Sequence, residues 1–380
     1  MENHPLTDGY DVVHCSRCGF VFADTAASQA DYDKFYATFS KYEDEKTSTG
    51  AGESPWDKAR LEETARLIAK YCPDRGSRIL DIGCAGGGLL QALAGLGYTQ
   101  LIGMDPAAAC ATHARAKGFE AYAGSLHSLP GIPACDVVVL SHVLEHVQDV
   151  AGVLKNLRGL TKPEGTLYLE VPDATRYAEF IYAPFQDFNT EHINHFSLVS
   201  LRNALRQAGF VEYAGGAKTL VISRDTFYPA VYLFCRMQGA GLRDPSPSYD
   251  AQLKPAIDRY IERSRGIMAD IERSLESQLR NVAGIIIWGT GQTAMKILGL
   301  PCIKNMRIVA CVDSNPIYHG KRFAGVSIVG PDEIPSGEYP ILVTTLLQHQ
   351  SIIDSIRAKG IQNKIILLRP TAEAVERHEA

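Results

Sequence analysis

The sequence predicts an α/β protein with two regions in which strands and helices alternate, behind a small cysteine-bearing cap. Short apolar stretches rich in β-branched residues alternate with helix-like stretches from Arg78 onward, and the alternation begins again at Gly284. Such alternation is typical of a parallel sheet covered by helices on both faces. The chain has 380 residues, more than the roughly 100–200 residues of one domain, so two or three domains are expected.

The charge balance and the absence of recognisable targeting segments narrow the function classes. Lys and Arg number 38 and Asp and Glu number 43, a net charge of −5 that disfavours binding to nucleic acids or anionic membranes. No apolar run reaches the roughly 20 residues that cross a bilayer, and the N-terminus does not resemble a signal peptide. Most of the nine cysteines are scattered singly, as is usual for reduced thiols. We expect a cytoplasmic protein with a small-molecule substrate, and the oligomeric state stays open.

Composition and periodicity divide the chain into four segments. Residues 1–75 form the cap, with a Cys-x-x-Cys knuckle and a helix expected over about Pro55–Tyr71. Residues 76–238 form the central alternating region. Residues 239–283 combine a turn-rich linker with a helix that has one apolar stripe, and residues 284–380 form the second alternating region.

A glycine-rich turn directly follows the first predicted strand of the central region. It has the pattern Asp-x-Gly-x-x-x-Gly-Gly, beginning at Asp81 and with its first glycine at Gly83. Glycines let the backbone turn sharply and approach a ligand, and the helix that follows offers unpaired amides. Asp105 ends the next strand, where a carboxylate can accept hydrogen bonds from ribose hydroxyls. Together these features predict a site for a nucleotide-like cofactor.

This turn closely resembles the first motif of class I S-adenosylmethionine-dependent methyltransferases. The resemblance covers about residues 60–215. It implies a seven-stranded Rossmann-like core, with the methionine moiety over the turn, the ribose on Asp105, and adenine beside Gly124–Leu126. The cofactor-binding residues implied by this resemblance are Asp81, Gly83, Cys84, Gly86, Gly87, Asp105, Ser125, Leu126 and His142.

Histidines and carboxylates cluster after two later strands of the same region. His142 and His146 follow the fourth predicted strand, while Glu191, His192 and His195 follow the fifth. Ligands of open α/β sheets bind outside the carboxyl ends of the strands, so both segments should border one pocket. Methyl transfer requires a positioned acceptor and removal of its proton. Histidine, with an unperturbed pKa of about 6.5, suits that removal at neutral pH.

The cysteine knuckle, the methyltransferase core, a Glu-His-x-x-x-Phe-Ser segment and the second alternating region together resemble the three-domain sugar C-methyltransferases. Those enzymes methylate nucleotide-linked keto-deoxysugars: a base removes the proton alpha to the ketone, and the enolate attacks the sulfonium methyl group. The resemblance implies that His146, Glu191 and His192 belong to the active site. Substrate contacts are expected from Tyr42, Asn189, Asn194 and His195.

Two positions depart from the pattern of that family. Asn189 stands two residues before Glu191, where a tyrosine is common, and Tyr42 is a counterpart to only part of an aromatic stretch before the core. An oxygen or nitrogen acceptor on a sugar, or a non-sugar small molecule, fits the same architecture. A hydroxyl acceptor would lose one proton without forming an enolate.

Cys15 and Cys18 supply half of a structural zinc site, because such sites have four ligands. The sugar methyltransferases usually carry two such pairs, whereas this sequence has no second Cys-x-x-Cys. Two interpretations remain open. The knuckle is metal-free, or it holds a structural zinc whose other ligands come from elsewhere, with His4 and His14 as the nearest candidates.

A second glycine turn, from Gly289 to Gly291, follows the predicted strand Ile285–Trp288, and Asp313 ends the next strand. In isolation this is a dinucleotide-binding fingerprint. It makes an NAD-dependent nucleotide-sugar oxidoreductase the alternative function, with a regulatory nucleotide-binding protein as a further one. However, the region has room for only four or five strands. The matching domain of the sugar methyltransferases has Rossmann topology without redox chemistry, which favours a nucleotide-sugar or structural role.

Overall fold

The computed structural model of the chain divides into two compact units. The residues it describes are 6, 9–38, 50–127, 129, 131–238, 246–334, 337–346 and 349–368. The larger unit comprises the described parts of 5–180 and 190–257, and the smaller unit those of 181–189 and 258–380. Each unit has a sheet and a core of its own.

The cap of the larger unit is a hairpin followed by a helix. Its elements are β1 (Asp11–His14), β2 (Val21–Asp24) and α1 (Gln29–Thr38). The hairpin turn carries Cys15 and Cys18 and ends at Gly19, which has a φ of +80°. A Cβ on Gly19 would lie 2.5 Å from the carbonyl oxygen of Asp250, whose amide donates to the Cys18 carbonyl. Only glycine therefore fits this close approach.

The rest of the larger unit alternates strands and helices. Its helices are α2 (Pro55–Tyr71), α3 (Gly88–Gly95), α4 (Ala108–Ala116), α5 (Val150–Leu160) and α6 (Leu198–Gln207). Its strands are β3 (Arg78–Ile82), β4 (Gln100–Asp105), β5 (Glu120–Ala123), β6 (Cys135–Ser141), β7 (Thr161–Pro172), β8 (Asn194–His195), β9 (Phe210–Ser223) and β10 (Thr226–Met237). The first long helix, α2, starts where its cap residue Ser54 accepts a hydrogen bond from the Asp57 amide, with Pro55 at the first helical position.

Seven of these strands form one sheet in the order β5-β4-β3-β6-β7-β10-β9. The strands from β5 to β7 run parallel, and β10 is antiparallel to both of its neighbours. The central strands are apolar along their length because helices cover both faces, as the fully buried Leu80 and Val138 illustrate. This topology places the carboxyl ends of β3, β4 and β6 at one edge of the sheet.

Helix α2 packs on this sheet, although its position in the sequence assigned it to the cap. Its buried residues Leu61, Ala65 and Ile68 share a cluster with Leu89 and Leu90 of α3. The helix therefore belongs structurally to the core, and we propose a boundary between cap and core that precedes Pro55.

A small three-stranded sheet connects the cap hairpin to the loop after β7. Its order is β1-β2-β8, and β8 pairs with β2 through Val21 opposite His195 and Phe22 opposite Asn194. The amide of Ala23 also donates to the carbonyl of Ile193 at 2.8 Å. The segment that contains Glu191 and His192 is thus held by the cap hairpin.

The smaller unit contains a second, six-stranded sheet. Helix α7 (Leu253–Leu279) begins in the larger unit and continues into this one. The remaining elements are β11 (Ile285–Trp288), α8 (Gln292–Leu298), α9 (Pro301–Lys304), β12 (Ile308–Val312), β13 (Arg322–Phe323), β14 (Val326–Val329), β15 (Ile341–Val343), α10 (His349–Ala358) and β16 (Ile365–Leu367). The sheet order is β13-β14-β12-β11-β15-β16, and β13 alone pairs antiparallel. Ile271 and Leu275, on the predicted apolar stripe of α7, lie in its core.

The predicted α/β class and the seven-stranded, Rossmann-like core are confirmed, and the second sheet contains more strands than expected. We predicted four or five strands there, but β13 and β14 extend the sheet to six. Both are short, at two and four residues, so neither leaves a periodic signal in the sequence. No helix within the described residues is long and apolar enough to cross a membrane.

Candidate active site

A cleft of about 1200 Å³, counting space open to solvent, lies at the carboxyl ends of β3, β4 and β6 in the larger unit. The glycine turn and Asp105 line one part of it, and His142 and His146 line another. Open parallel sheets bind their ligands at this edge, because the strand ends and the helix N-termini that follow them converge there. The predicted cofactor turn therefore shares one cavity with His142 and His146, whereas Glu191, His192 and His195 do not line it.

The glycine turn makes close contacts that side chains would prevent. Gly83 has a φ of +74°, and a Cβ there would lie 2.5 Å from Cγ2 of Val143. A Cβ on Gly86 would lie 2.7 Å from the Cβ of Ala51, and Gly87, with a φ of +81°, caps α3. Gly83 borders the cleft, whereas Gly86 and Gly87 shape the turn behind it. The structure thus assigns these glycines to turn geometry and leaves the surface above Gly83 open to a ligand.

Asp105 is held by the backbone of the turn and of the segment that follows β4. Its Oδ2 accepts a hydrogen bond from the Ala85 amide at 2.9 Å, and its Oδ1 accepts one from the Ala107 amide at 2.9 Å. Asp105 also lines the cleft, and carboxylate oxygens accept hydrogen bonds from hydroxyl groups. The donor set of a ribose diol therefore fits this carboxylate.

Asp81 forms a buried pair of acids with Asp105. Burial, together with the charge of Asp105, raises the pKa of Asp81 to about 8, and Arg60 acts in the opposite direction. Both aspartate side chains border the cleft. Two carboxylates at one buried site favour a ligand that carries positive charge. S-Adenosylmethionine carries an ammonium and a sulfonium, so its charge fits the pair.

The predicted adenine side also borders the cleft. Ser125 and Leu126 line it, and Leu126 is buried, with its carbonyl accepting a hydrogen bond from Nδ2 of Asn156 at 3.0 Å. Cys84 lines the cleft as a buried side chain, and burial raises the pKa of its thiol well above the usual value. A neutral thiol of this kind is an apolar filler and a poor nucleophile.

His142 adopts a left-handed backbone, with a φ of +57°, which is uncommon for a residue with a side chain. Its Nε2 lies 3.0 Å from Oε1 of Glu170, and its Nδ1 lies 3.3 Å from Oε1 of Glu145. Burial lowers the pKa of His142, but the two carboxylates outweigh burial and leave it raised. The imidazole thus links the cleft to two buried acids.

Glu170 connects His142 to a polar group inside the sheet, which was not predicted from the sequence. Lys218 on β9 lies 2.5 Å from Oε2 of Glu170, and the Tyr168 hydroxyl donates to the same oxygen. Burial would raise the pKa of Glu170, but Lys218 and His142 hold it well below its ordinary value. The available sequence signal was Glu170 itself, an acid in the mainly apolar second half of β7. Its partner Lys218 lies too far along the chain to be paired with it by inspection.

His146, Glu191 and His192 come together beside the cleft, with Glu145 as a further member that was not predicted from the sequence. Nδ1 of His146 donates to the carbonyl of Glu191 at 2.9 Å, and the rings of His146 and His192 are 4.9 Å apart. Oε1 of Glu145 lies 3.8 Å from Nε2 of His146. His146 is the last residue of a short 3₁₀ turn, Leu144–His146.

Asn194 holds this arrangement together and does not contact the cleft. Its Nδ2 donates to the carbonyl of Leu144 at 3.2 Å and to that of Val147 at 2.6 Å. The side chain is 6% exposed, so these carbonyls take up its donor group. The expected substrate contact of Asn194 is therefore replaced by a structural role.

His195 and Asn189 also differ from the expectation that they contact the substrate. His195 is completely buried in β8 against the ring of Tyr177, and burial lowers its pKa to about 3. It is a core residue, because an inward-facing position on β8 gives it no route to the cleft. Asn189 belongs to the smaller unit, where its Nδ2 donates to the carbonyl of Gln186 at 3.2 Å. Tyr42 lies outside the described residues.

The cysteine pair lies in a hairpin turn. Backbone amides of Cys18 and Arg17 lower the pKa of Cys15, whereas burial raises that of Cys18. Among the described residues, no group of three or more potential metal ligands includes this pair. His4 lies outside the described residues, and His14 faces the hydroxyl of Tyr249 at 3.4 Å. Structural zinc at this turn therefore finds no support in the described part of the chain.

Comparison with known proteins assigns the cleft-bearing region to a family. Residues 56–213 match the model of a methyltransferase domain, and residues 281–367 match a family described as C2185-like, N-terminal. Ubiquinone biosynthesis O-methyltransferase of Albidiferax ferrireducens is 35% identical over 110 residues, covering 27% of this chain and 43% of that protein. The enzyme of the same name from Xanthomonas campestris is 28% identical over 157 residues, covering 39% and 62%.

The chain spans about half the length of the curated relatives it matches. Among solved structures, a 1,6-didemethyltoxoflavin-N1-methyltransferase of Burkholderia thailandensis with bound S-adenosylhomocysteine superimposes with a TM-score of 0.43 at 17% identity. That superposition covers 60% of this chain and 99% of the other. The family match agrees with the sheet order, with the glycine turn and with the acids at the ends of β3 and β4. Residues 56–213 therefore match a methyltransferase domain, and they carry most of the seven-stranded sheet predicted from the resemblance to S-adenosylmethionine-dependent methyltransferases.

Proposed function

We propose that this protein transfers a methyl group from S-adenosylmethionine to a small-molecule acceptor held beside His146, Glu191 and His192. The observation that carries this proposal is that one cleft joins Asp105 and the glycine turn to His146. A cofactor on the turn and an acceptor beside the imidazoles would then share a single cleft. Proximity of this kind is the main contribution of a protein to a transfer whose donor is already activated.

The side chains of this chain would position the acceptor and promote loss of its proton. When bound, the cofactor supplies a methyl carbon activated by the adjacent positive sulfur. Because Nδ1 of His146 donates to the Glu191 carbonyl, the basic lone pair of the ring is on Nε2. His146 lines the cleft and contacts the ring of His192, so this lone pair could promote proton loss from an acceptor bound at that end.

For the acceptor we propose a nucleotide-linked keto-deoxysugar, with methylation at carbon. The support is the combination of a cysteine-bearing cap, the Glu191–His192 pair and a second α/β unit with a glycine turn of its own. The cap also holds the loop of the Glu–His pair through β2 and β8, which gives it a role in shaping the acceptor side.

Methylation at oxygen is the second candidate, and the names of the relatives favour it. The curated proteins that match this chain are named O-methyltransferases. A hydroxyl acceptor also requires less of the protein, because removal of one proton exposes the attacking lone pair. An enolate requires additional stabilisation of the oxygen on the neighbouring carbon.

Calorimetric titration of the full chain with S-adenosylhomocysteine and, separately, with NAD tests the cofactor. We expect the homocysteine analogue to bind, and binding of NAD alone would contradict the proposal. Incubation with S-adenosylmethionine and a panel of nucleotide sugars should then give a product heavier by one methylene group. Its fragmentation distinguishes a new C–C bond from a new C–O bond.

Replacement of one imidazole tests the acceptor side. His192→Asn should keep S-adenosylhomocysteine binding but lower turnover at least about 100-fold, the scale of a lost proton-transfer group. His319→Asn is the matched control, because His319 lies in the smaller unit and contacts the Asp313 carbonyl. Unchanged turnover of His192→Asn would remove this residue from the reaction.

A further inference from the structure

We propose that Glu145, His146 and His192 bind one divalent first-row transition cation of the Zn²⁺ or Mn²⁺ type at the acceptor end of the cleft. Their ligand atoms, one carboxylate oxygen and two imidazole nitrogens, all lie within 4.8 Å of one another. Two donors on one ion are at most about 4.2 Å apart, twice a metal–nitrogen distance. A side-chain adjustment on the order of 1 Å therefore closes the three donors around an ion.

The position of Glu145 is the first argument for a cation. Its side chain is 1% exposed, and Oε2 accepts no hydrogen bond within the described part of the chain. Oε1 lies 3.3 Å from Nδ1 of His142, which leaves the other oxygen available. A buried carboxylate oxygen that accepts no hydrogen bond is costly, and a bound cation would satisfy it.

The second argument is that the site is preorganised by bonds around the ligands. Nδ1 of His146 donates to the carbonyl of Glu191, and this is the arrangement that fixes the tautomer of a metal-binding histidine. The Ile193 amide donates to the Glu145 carbonyl at 2.9 Å, and Asn194 bridges the carbonyls on either side. The two segments that supply the ligands are thus fixed to each other before any ion arrives.

The donor set indicates the class of ion. Two imidazoles and one carboxylate suit Zn²⁺, Mn²⁺ or Fe²⁺, whereas Mg²⁺ favours a shell of oxygens and water. Three protein ligands leave positions open for an exogenous oxygen, as in sites that act on a substrate. His146 lines the cleft, so an ion on its Nε2 would border the bound acceptor.

The ion would act as a Lewis acid on the acceptor oxygen, a role that rests on the proposed function, although ion binding itself does not. The oxygen is that of an attacking hydroxyl, or of a ketone beside the reacting carbon. With the imidazoles on the ion, the ion takes over their part in promoting proton loss: the acceptor loses one proton to water, and its electron pair forms the bond to the methyl carbon. The C–S bond breaks with its pair remaining on sulfur. No redox change is required.

Metal analysis of the full chain, purified without chelators and then reloaded with Zn²⁺, Mn²⁺, Co²⁺ or Mg²⁺, tests the site. We expect about one transition ion per chain, weaker retention of Mg²⁺, and a visible absorption band for the Co²⁺ form. Glu145→Gln and His192→Asn should each weaken Zn²⁺ binding at least about 10-fold. The Co²⁺ spectrum reports the nitrogen ligands and does not depend on activity.

Two control variants locate the ion within the chain. Cys15→Ser with Cys18→Ser should leave the ion in place, and its loss there would move the ion to the cysteine turn. Glu179→Gln, at an exposed acid paired with Arg176, should have no effect on binding. Wild-type protein that binds S-adenosylhomocysteine but retains no transition ion would overturn this inference and leave the methyltransferase proposal intact. Protein that retains the ion but does not bind S-adenosylhomocysteine would support this inference and contradict the methyltransferase proposal.

Discussion

The buried pair Asp81 and Asp105 lowers the stability of the ligand-free protein at a candidate binding site. Two buried carboxylates beside each other repel, and a protein without a ligand to bind would gain by replacing one of them. The backbone amides of Ala85 and Ala107 keep Asp105 in its acceptor geometry, while Asp81 carries the shifted pKa. The cost of this pair is a reason to assign it to a cationic ligand.

The pH dependence of stability tests this interpretation of Asp81. Its pKa is about 8 in the folded chain against 3.8 for an unperturbed group, so between these values the folded state holds a proton that the unfolded state has lost. The stability contribution is complete below pH 3.8 and disappears as the pH rises through about 8. We expect the free energy of unfolding without ligand to fall over this range by on the order of a few kcal/mol.

Asp81→Asn should flatten that slope, because an amide does not titrate. Urea unfolding at several pH values between the two limits measures it. Asp225→Asn, at an exposed acid in the turn between β9 and β10, is the matched control and should keep the wild-type slope. Equal slopes for Asp81→Asn and wild type would show that the Asp81 carboxyl is ionised in the folded protein throughout this range.

At the scale of elements, the acceptor side depends on two very short ones. The 3₁₀ turn Leu144–His146 and the two-residue strand β8 carry or flank Glu145, His146 and His192. Neither would be stable alone, since each has few hydrogen bonds of its own. The hairpin β1–β2 and the bonds from Asn194 provide the missing support. The cap therefore acts on the active site through the backbone.

Asn194→Ala should weaken this support. The change removes two hydrogen bonds and leaves two carbonyls without that donor, at a cost of about 1–3 kcal/mol in unfolding free energy. We expect turnover to fall while S-adenosylhomocysteine affinity stays close to wild type, because the glycine turn is untouched. Thermal unfolding and single-turnover rates measure the two effects.

Asn363→Ala is the comparison for this variant, since Nδ2 of Asn363 donates to the Tyr339 carbonyl in the smaller unit. It should reduce stability without changing the rate. A loss of S-adenosylhomocysteine binding in Asn194→Ala equal to its loss of turnover would contradict a specific effect on the acceptor side.

At the scale of the whole molecule, each unit has its own core. The larger unit packs helices on the seven-stranded sheet, and the smaller unit packs Ile271, Leu275 and their neighbours on the six-stranded one. Units with separate cores commonly unfold in separate transitions. The cofactor cleft lies entirely in the larger unit.

The two tryptophans of the chain allow this independence to be measured. Trp56 is 40% exposed at the start of α2, and Trp288 is buried in β11. Saturating S-adenosylhomocysteine should stabilise the larger unit by about 3 kcal/mol at 100 times its Kd. We expect the urea midpoint reported by Trp56 in a Trp288→Phe chain to rise by about 1 M or more.

The midpoint reported by Trp288 in a Trp56→Phe chain should not move on addition of the ligand. Equal shifts of both midpoints would show that the two units unfold as one. A shift seen only with Trp288 would place the cofactor in the smaller unit and contradict the assignment of the cleft.

The elements that the sequence predicted well are those with strong local signals. Helix α2 has its proline, its capping serine and its apolar spacing, and it begins and ends at the predicted residues. The parallel strands β3, β4 and β6 are short, mainly apolar stretches bounded by turns. The long antiparallel pair β9–β10 was not predicted, because alternating burial on β9 gives a pattern that breaks at its glycines, Gly215 and Gly216.

Local periodicity and motifs within a few residues were enough to predict the fold class, the cofactor turn and the two segments that carry His146 and His192. The contacts of Glu145, Glu170 and Lys218 at the site, and the buried positions of Asn194 and His195, became visible in the folded chain. Those roles depend on which side chains meet across strands and loops that are distant in the chain. Burial also shifts the pKa values of these groups, and a local sequence pattern does not show how deeply a given side chain is buried.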